Sequence, residues 1–80
     1  MSVALTLYGR SGCHLCEDME QQLRRLQPEH GFELAVVDID GDPALGGEYG
    51  LKIPVLMAGA REICHYRLDF DALARILGDE

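Results

Sequence analysis

Apolar positions change their spacing along this chain, and each change marks an element. "VALTLY", Val3 to Tyr8, is short, β-branched and apolar, and Gly9 and Ser11-Gly12 bound it, so it predicts a buried strand. From Cys13 onward Leu15, Met19, Leu23 and Leu26 recur at spacings of four, four and three, one face of a helix. Glu20 and Arg24 stand four apart on its polar side. Pro28 and Gly31 are expected to end it. "FELAVVDI", Phe32 to Ile39, reads as a second strand. Two strands joined by a helix through short loops predict a right-handed parallel unit.

Beyond Ile39 the pattern weakens. Asp42-Pro43 opens a helix, as cap and first helical residue. Gly46 and Gly47 lie inside it, each costing about 1 kcal/mol relative to Ala. One or two frayed turns are therefore expected, ending near Gly50. "PVLMA" and "REICHY" predict a β-hairpin turning at Gly59. Asp69 caps a last helix, whose Phe70, Leu73, Ala74 and Leu77 form an apolar stripe before Gly78. The order β-α-β-α-β-β-α, with no linker and no internal repeat, is that of one α/β domain over residues 1–80.

Composition narrows the function classes. The formal charge is −7, from seven Lys and Arg against fourteen Asp and Glu, which argues against nucleic acid as a partner. A chain of 80 residues buries only roughly 60% of the surface its unfolded form exposes, so the core is thin. Three cysteines, an odd number, do not suit a disulfide-stapled secreted domain. "MSVALTLYGR" lacks the basic start of a signal peptide, and no stretch reaches the ~20 apolar residues of a membrane span. The chain reads as soluble and cytoplasmic, without a membrane partner, and is expected to be a monomer.

The chemistry concentrates in Cys13 and Cys16. Cys13 falls where a helix begins after a strand, the crevice in which α/β proteins place ligands. Unpaired N–H groups and the helix dipole there favour a thiolate over a thiol. Cys16 lies about one turn further in, close enough to reach Cys13 but less exposed. That inequality suits thiol–disulfide exchange, which needs a nucleophile and a resolving thiol. Two other readings compete. A zinc site would need further ligands, for which Cys64, His65, His14 and His30 are the candidates, but the usual second pair is missing. A purely structural disulfide would close a very small loop and stabilise little. Glu17 and Asp18, in the first helical turn, complement the dipole while opposing a thiolate at Cys13; a protonated His14 would favour it. Asp38 and Asp40 read as loop caps, Cys64 as a small buried apolar residue, and Tyr8 and Tyr66 as the edge of the core or the lining of the site.

The stretch "LYGRSGCHLC" followed by a helix, with "KIPVL" some forty residues later, resembles the glutaredoxin-like branch of the thioredoxin superfamily along essentially the whole chain. The resemblance implies a thioredoxin-like fold, a four-stranded mixed sheet with flanking helices, and thiol–disulfide oxidoreductase activity. Cys13 would be the nucleophile, Cys16 the resolving thiol, and their redox-active disulfide the working centre, with no tightly bound cofactor. It also implies a cis peptide between Ile53 and Pro54, facing the cysteines, with the Ile53 backbone pairing with substrate. Substrates would be disulfide-bearing proteins or small thiols, and the electron donor a reductase or glutathione. Arg10, His14, Leu15, Ile53, Pro54, Cys64 and His65 are the substrate-contact candidates. The chain departs from the family in two places. His14-Leu15 stands between the cysteines where glutaredoxins usually carry Pro and an aromatic residue. Counted from Pro54, Cys64 and His65 stand where the family has a Gly-Gly pair that helps hold glutathione. Arg10 and Lys52 retain some cationic grip on an anionic peptide. Glutathione dependence is accordingly doubtful. The alternative is a non-catalytic module that binds a partner or metal through its cysteines.

Overall fold

The computed structural model describes residues 3–78, in the order β1 (Ala4–Gly9), α1 (His14–His30), β2 (Glu33–Asp38), a 3-10 turn (Ile39–Gly41), α2 (Pro43–Tyr49), β3 (Val55–Ala58), β4 (Arg61–His65) and α3 (Phe70–Leu77). The four strands form one mixed sheet in the order β2-β1-β3-β4, with β1 and β2 parallel and the other neighbours antiparallel. This is the α/β architecture that the alternation of elements predicted.

Register explains how the core is shared. Leu7 pairs with Leu56, and Leu56 with Cys64, so these three side chains stand on one face of the sheet. Leu5, Leu7 and Leu56 form one buried cluster there with Met19 and Leu23 of α1, Phe32 just before β2, and Leu73 of α3. The other face is thinner. Val55 and Met57 are buried on it, and Tyr49 of α2 stacks its ring on Tyr8, with centroids 4.4 Å apart.

Several expectations need correction. β1 is not buried throughout: Leu5, Leu7 and Gly9 point inward, whereas Ala4 is exposed and Thr6 and Tyr8 are half-buried. The inward stripe of α1 is Cys16, Met19 and Leu23, with Leu15 turned to its margin and only half-buried. Pro28 does not end α1. Its ring removes one N–H from the last turn, yet the helix continues to His30. Gly31 stops it with φ 70, donating its N–H to Gln27, while the Gln27 amide bonds the Phe32 carbonyl. β2 is an edge strand, so Val36 is 46% exposed, and the buried anchors are Phe32 and Ile39 just outside it. Phe70, at the first position of α3, shares a surface hollow with Leu73, Ala74 and Leu77 as the stripe predicts, but remains 54% exposed.

The caps follow the sequence. Asp42 accepts from the amides of Ala44 and Leu45, and Asp69 from that of Ala72. Despite Gly46 and Gly47, α2 completes two turns, although none of its residues is buried.

Gly9 closes β1 and is itself buried. A Cβ there would stand 2.9 Å from the Cys16 sulfur and 3.1 Å from its Cβ. The second cysteine can lie against the strand end only because residue 9 has no side chain. Gly9→Ala is therefore expected to destabilise the protein by about 1–3 kcal/mol, the usual cost of overpacking. Urea unfolding of the oxidised protein measures this, and an unchanged midpoint would show that Cys16 moves aside freely.

Candidate active site

Cys13 is the N-cap of α1, in extended conformation, and its carbonyl accepts the first helical bond from Glu17. Its sulfur accepts the amide N–H of Cys16 at 3.2 Å, so the cap is made by sulfur where Ser or Asp would ordinarily serve. The two cysteines form a disulfide with Cα atoms 5.2 Å apart. They are unequal as the spacing predicts: Cys13 is half-buried, while Cys16 is only 7% exposed.

The loop before the motif is tied to β2. Ser11 donates to Asp38 at 3.3 Å, and Arg10 pairs with Asp40 at 2.9 Å. Asp38 also accepts the Asp40 amide, making it the cap of the 3-10 turn. Asp38 thus caps a loop, as read from sequence, whereas Asp40 pairs with Arg10 instead, and both hold the β1–α1 loop in place.

Pro54 follows a cis peptide bond from Ile53 and is buried. Since Tyr8 pairs with Val55 and Val55 with His65, extending the ladders by one residue brings Gly9, Pro54 and Tyr66 into a row across this end of the sheet. The Tyr66 amide donates to the Pro54 carbonyl at 2.9 Å. The site thus gathers the cysteines, Gly9, Pro54 and Tyr66 at one end of the sheet.

The remaining candidates are placed as follows. His14 is exposed on the first turn of α1, and Leu15 is half-buried beside Tyr66, across a surface groove. Cys64 is half-buried on the core face of the sheet. It packs on the core cluster with Leu56, and burial pushes its thiol up, against a hydrogen bond from the Asp69 backbone. His65 lies on the opposite face, exposed, with its Nδ1 2.7 Å from Glu62. Glu62 also takes Lys52 at 2.6 Å, and the bonds from Lys52 and then His65 hold its carboxyl below the usual carboxylate range. Both cations expected to grip an anionic peptide, Arg10 and Lys52, are thus already paired. Among the described residues no three His, Cys, Asp or Glu side chains gather as a metal site.

A bulge interrupts the pairing of β3 and β4. Leu56 pairs with Cys64 but Met57 with Glu62, which leaves Ile63 as an extra residue on β4. Residues beyond it shift by one against β3, which sets Cys64 opposite Leu56 and His65 opposite Val55. Just after β4, Tyr66 holds φ 66, the left-handed conformation that glycine favours. Its hydroxyl donates to the Leu51 carbonyl at 2.7 Å, which helps hold it there. Sequence reasoning missed Gly9, Glu62 and the bulge. Gly9 carried a signal, a glycine between an apolar strand and the motif, but it was read only as a boundary.

This geometry has relatives. The family model of the glutaredoxin-like domain matches residues 4–78. The uncharacterized protein Rv0508 of Mycobacterium tuberculosis is 34% identical over 68 residues, which cover 79% of this chain and 70% of that protein. The solution structure of protein Ne2328 from Nitrosomonas europaea is 45% identical and superposes with a TM-score of 0.85, over 94% of this chain and 91% of that one. Thioredoxin 1 of Thermosipho africanus, 11% identical with a TM-score of 0.64 over 95% and 91% of the two chains, shares the fold. With a matched domain from β1 to the end of α3 and a paired C-x-x-C at the head of α1, this chain belongs to the glutaredoxin-like family and has the thioredoxin fold.

Proposed function

We propose that this protein is a thiol–disulfide oxidoreductase with Cys13 as nucleophile and Cys16 as resolving thiol. The inequality of the two sulfurs carries the reading: one caps an open helix end, the other is packed under the strand end at Gly9. In the reduced protein the Cys13 thiolate attacks a substrate disulfide, forming a Cys13–substrate S–S bond and releasing the other substrate sulfur as a thiolate. Cys16, deprotonated, then attacks the Cys13 sulfur, closing the Cys13–Cys16 disulfide and releasing the second substrate thiol. Two electrons pass from protein to substrate, and a reductase or a small thiol returns them. The amide that Cys16 directs at the Cys13 sulfur, with the helix dipole behind it, stabilises the attacking thiolate.

Glutathione fits this site poorly. A glutathionyl group carries carboxylates, and Arg10 and Lys52 already face Asp40 and Glu62. Cys64 and His65 stand where the family resemblance puts bare backbone, and the neighbouring Tyr66 amide is taken by Pro54. Protein disulfides are the better substrates on this reading, and a dithiol donor the better source of electrons.

Two results are expected. Cys16→Ser accumulates a covalent adduct with a disulfide substrate, seen by intact mass, whereas Cys13→Ser forms none and loses turnover; an adduct on Cys16 of the Cys13→Ser protein would reverse the roles. Glu62→Gln frees Lys52 and is expected to raise the glutathione-dependent rate about twofold to fivefold, the scale of one exposed ion pair. A coupled assay with glutathione and its reductase measures this, and a fall in rate would contradict the account of the paired cations.

A further inference from the structure

A groove of about 340 Å³ runs from the cysteine motif along α1. One wall is the stripe Leu15, Asp18, Gln22 and Arg25, spaced three, four and three along one helix face; the other is Tyr66, Arg67 and Leu68. At 1.5 Å of rise per residue, Leu15 and Arg25 stand about 15 Å apart along the axis. That is the reach of four or five residues of extended chain at about 3.3 Å each.

The charges in the groove stand out against the rest of the surface. The chain carries −7, and Arg10, Arg24 and Lys52 each face a carboxylate. Arg25 and Arg67 are exposed, both line the groove, and have no carboxylate partner among the described residues. Arg61 and Arg75, which likewise lack one, line a separate pocket between β4 and α3. The groove is also polarised along its length: Asp18 stands one turn from Leu15, and Arg25 two turns beyond it.

We propose that this groove receives an extended acidic segment of a disulfide-bearing protein substrate, with a carboxylate four or five residues from the reacting cysteine held by Arg25 and Arg67. Leu15 and Tyr66 supply the apolar contacts nearest the reacting sulfur. Asp18 repels an acid placed within the first two residues and so fixes the register. A tripeptide thiol joined to Cys13 spans at most about 10 Å and does not reach Arg25. At physiological ionic strength the Debye length is about 8 Å, so the groove's own cations outweigh the more distant negative charges. The inference rests on the exchange reaction proposed above and names its substrate class.

The test uses synthetic peptides with one cysteine joined as a mixed disulfide to a nitrothiobenzoate, whose low thiol pKa directs attack to the peptide sulfur and makes it the leaving group. Reduced protein then forms the Cys13–peptide bond with release of coloured thiolate. Cys16 closes the protein disulfide and releases the peptide thiol. Glu, Gln or Lys is placed at the second or the fifth residue from the cysteine. A Glu at the fifth residue is expected to raise the second-order rate about fivefold over Lys, the scale of two exposed ion pairs. A Glu at the second residue should give no gain. Arg25→Gln with Arg67→Gln should abolish the preference and leave the rate with hydroxyethyl disulfide unchanged. Equal rates for Glu and Lys, or a preference that survives both substitutions, would overturn the proposal. Binding of the corresponding serine peptides to isotope-labelled oxidised protein reads the groove without chemistry. Amide shifts at Arg25 and Arg67 with the acidic peptide alone support it, and equal shifts with the basic peptide overturn it. If those shifts appear but no peptide is reduced, the exchange reaction is refuted while the groove assignment stands.

Discussion

The Cys16 sulfur and the end of β1 occupy touching volumes: a Cβ on Gly9 would come within 2.9 Å of that sulfur. From this contact the rest of the reactive end takes its shape. Cys16, held against the strand, lies in the first turn of α1, and Cys13 is the N-cap of that turn. With Cys13 at the cap, its sulfur meets the Cys16 amide and the positive end of the helix. The buried row Cys16, Met19 and Leu23 then continues the same contact down the sheet, onto Leu5, Leu7 and Leu56. Core and chemistry share a single helix face, so the pair cannot shift without disturbing the packing beneath it.

Much of this was legible in the residues. The order of elements followed from the spacing of apolar positions, and the helix starts at Asp42 and Asp69 followed from cap chemistry. The C-x-x-C pair announced itself at the helix start. What sequence concealed were facts of pairing. A strand such as β2 looks buried when read alone, and only its place at the sheet edge exposes Val36. The bulge at Ile63 has no composition of its own, yet it moves every later residue by one and sets Cys64 opposite Leu56, on the core face. Periodicity also placed Leu15 on the inward face because it counts apolar residues and passes over a small thiol; Cys16 took that place.

The electrostatic layout is equally a matter of tertiary placement. Seven cations in an acidic chain are spent in different ways. Arg10 secures the loop before the motif through Asp40, and Lys52 joins the loop before Pro54 to β4 through Glu62. These pairs are exposed and contribute little stability each, but they fix which charges a substrate meets. At Arg10 and Lys52 the positive charge is paired; in the groove between α1 and the loop after β4, at Arg25 and Arg67, it is not.

The central claim is that the fold makes Cys13 the nucleophile by setting it on an open helix end and burying its partner. The most direct measurement is the rate of alkylation of each cysteine in the reduced protein as a function of pH, with site assignment by mass, repeated on the urea-unfolded chain. The account predicts that Cys13 in the folded protein stays reactive to a lower pH than it does unfolded, while Cys16 and Cys64 react slowly until the chain opens. Coincident folded and unfolded profiles for Cys13, or faster alkylation of Cys16, would contradict it.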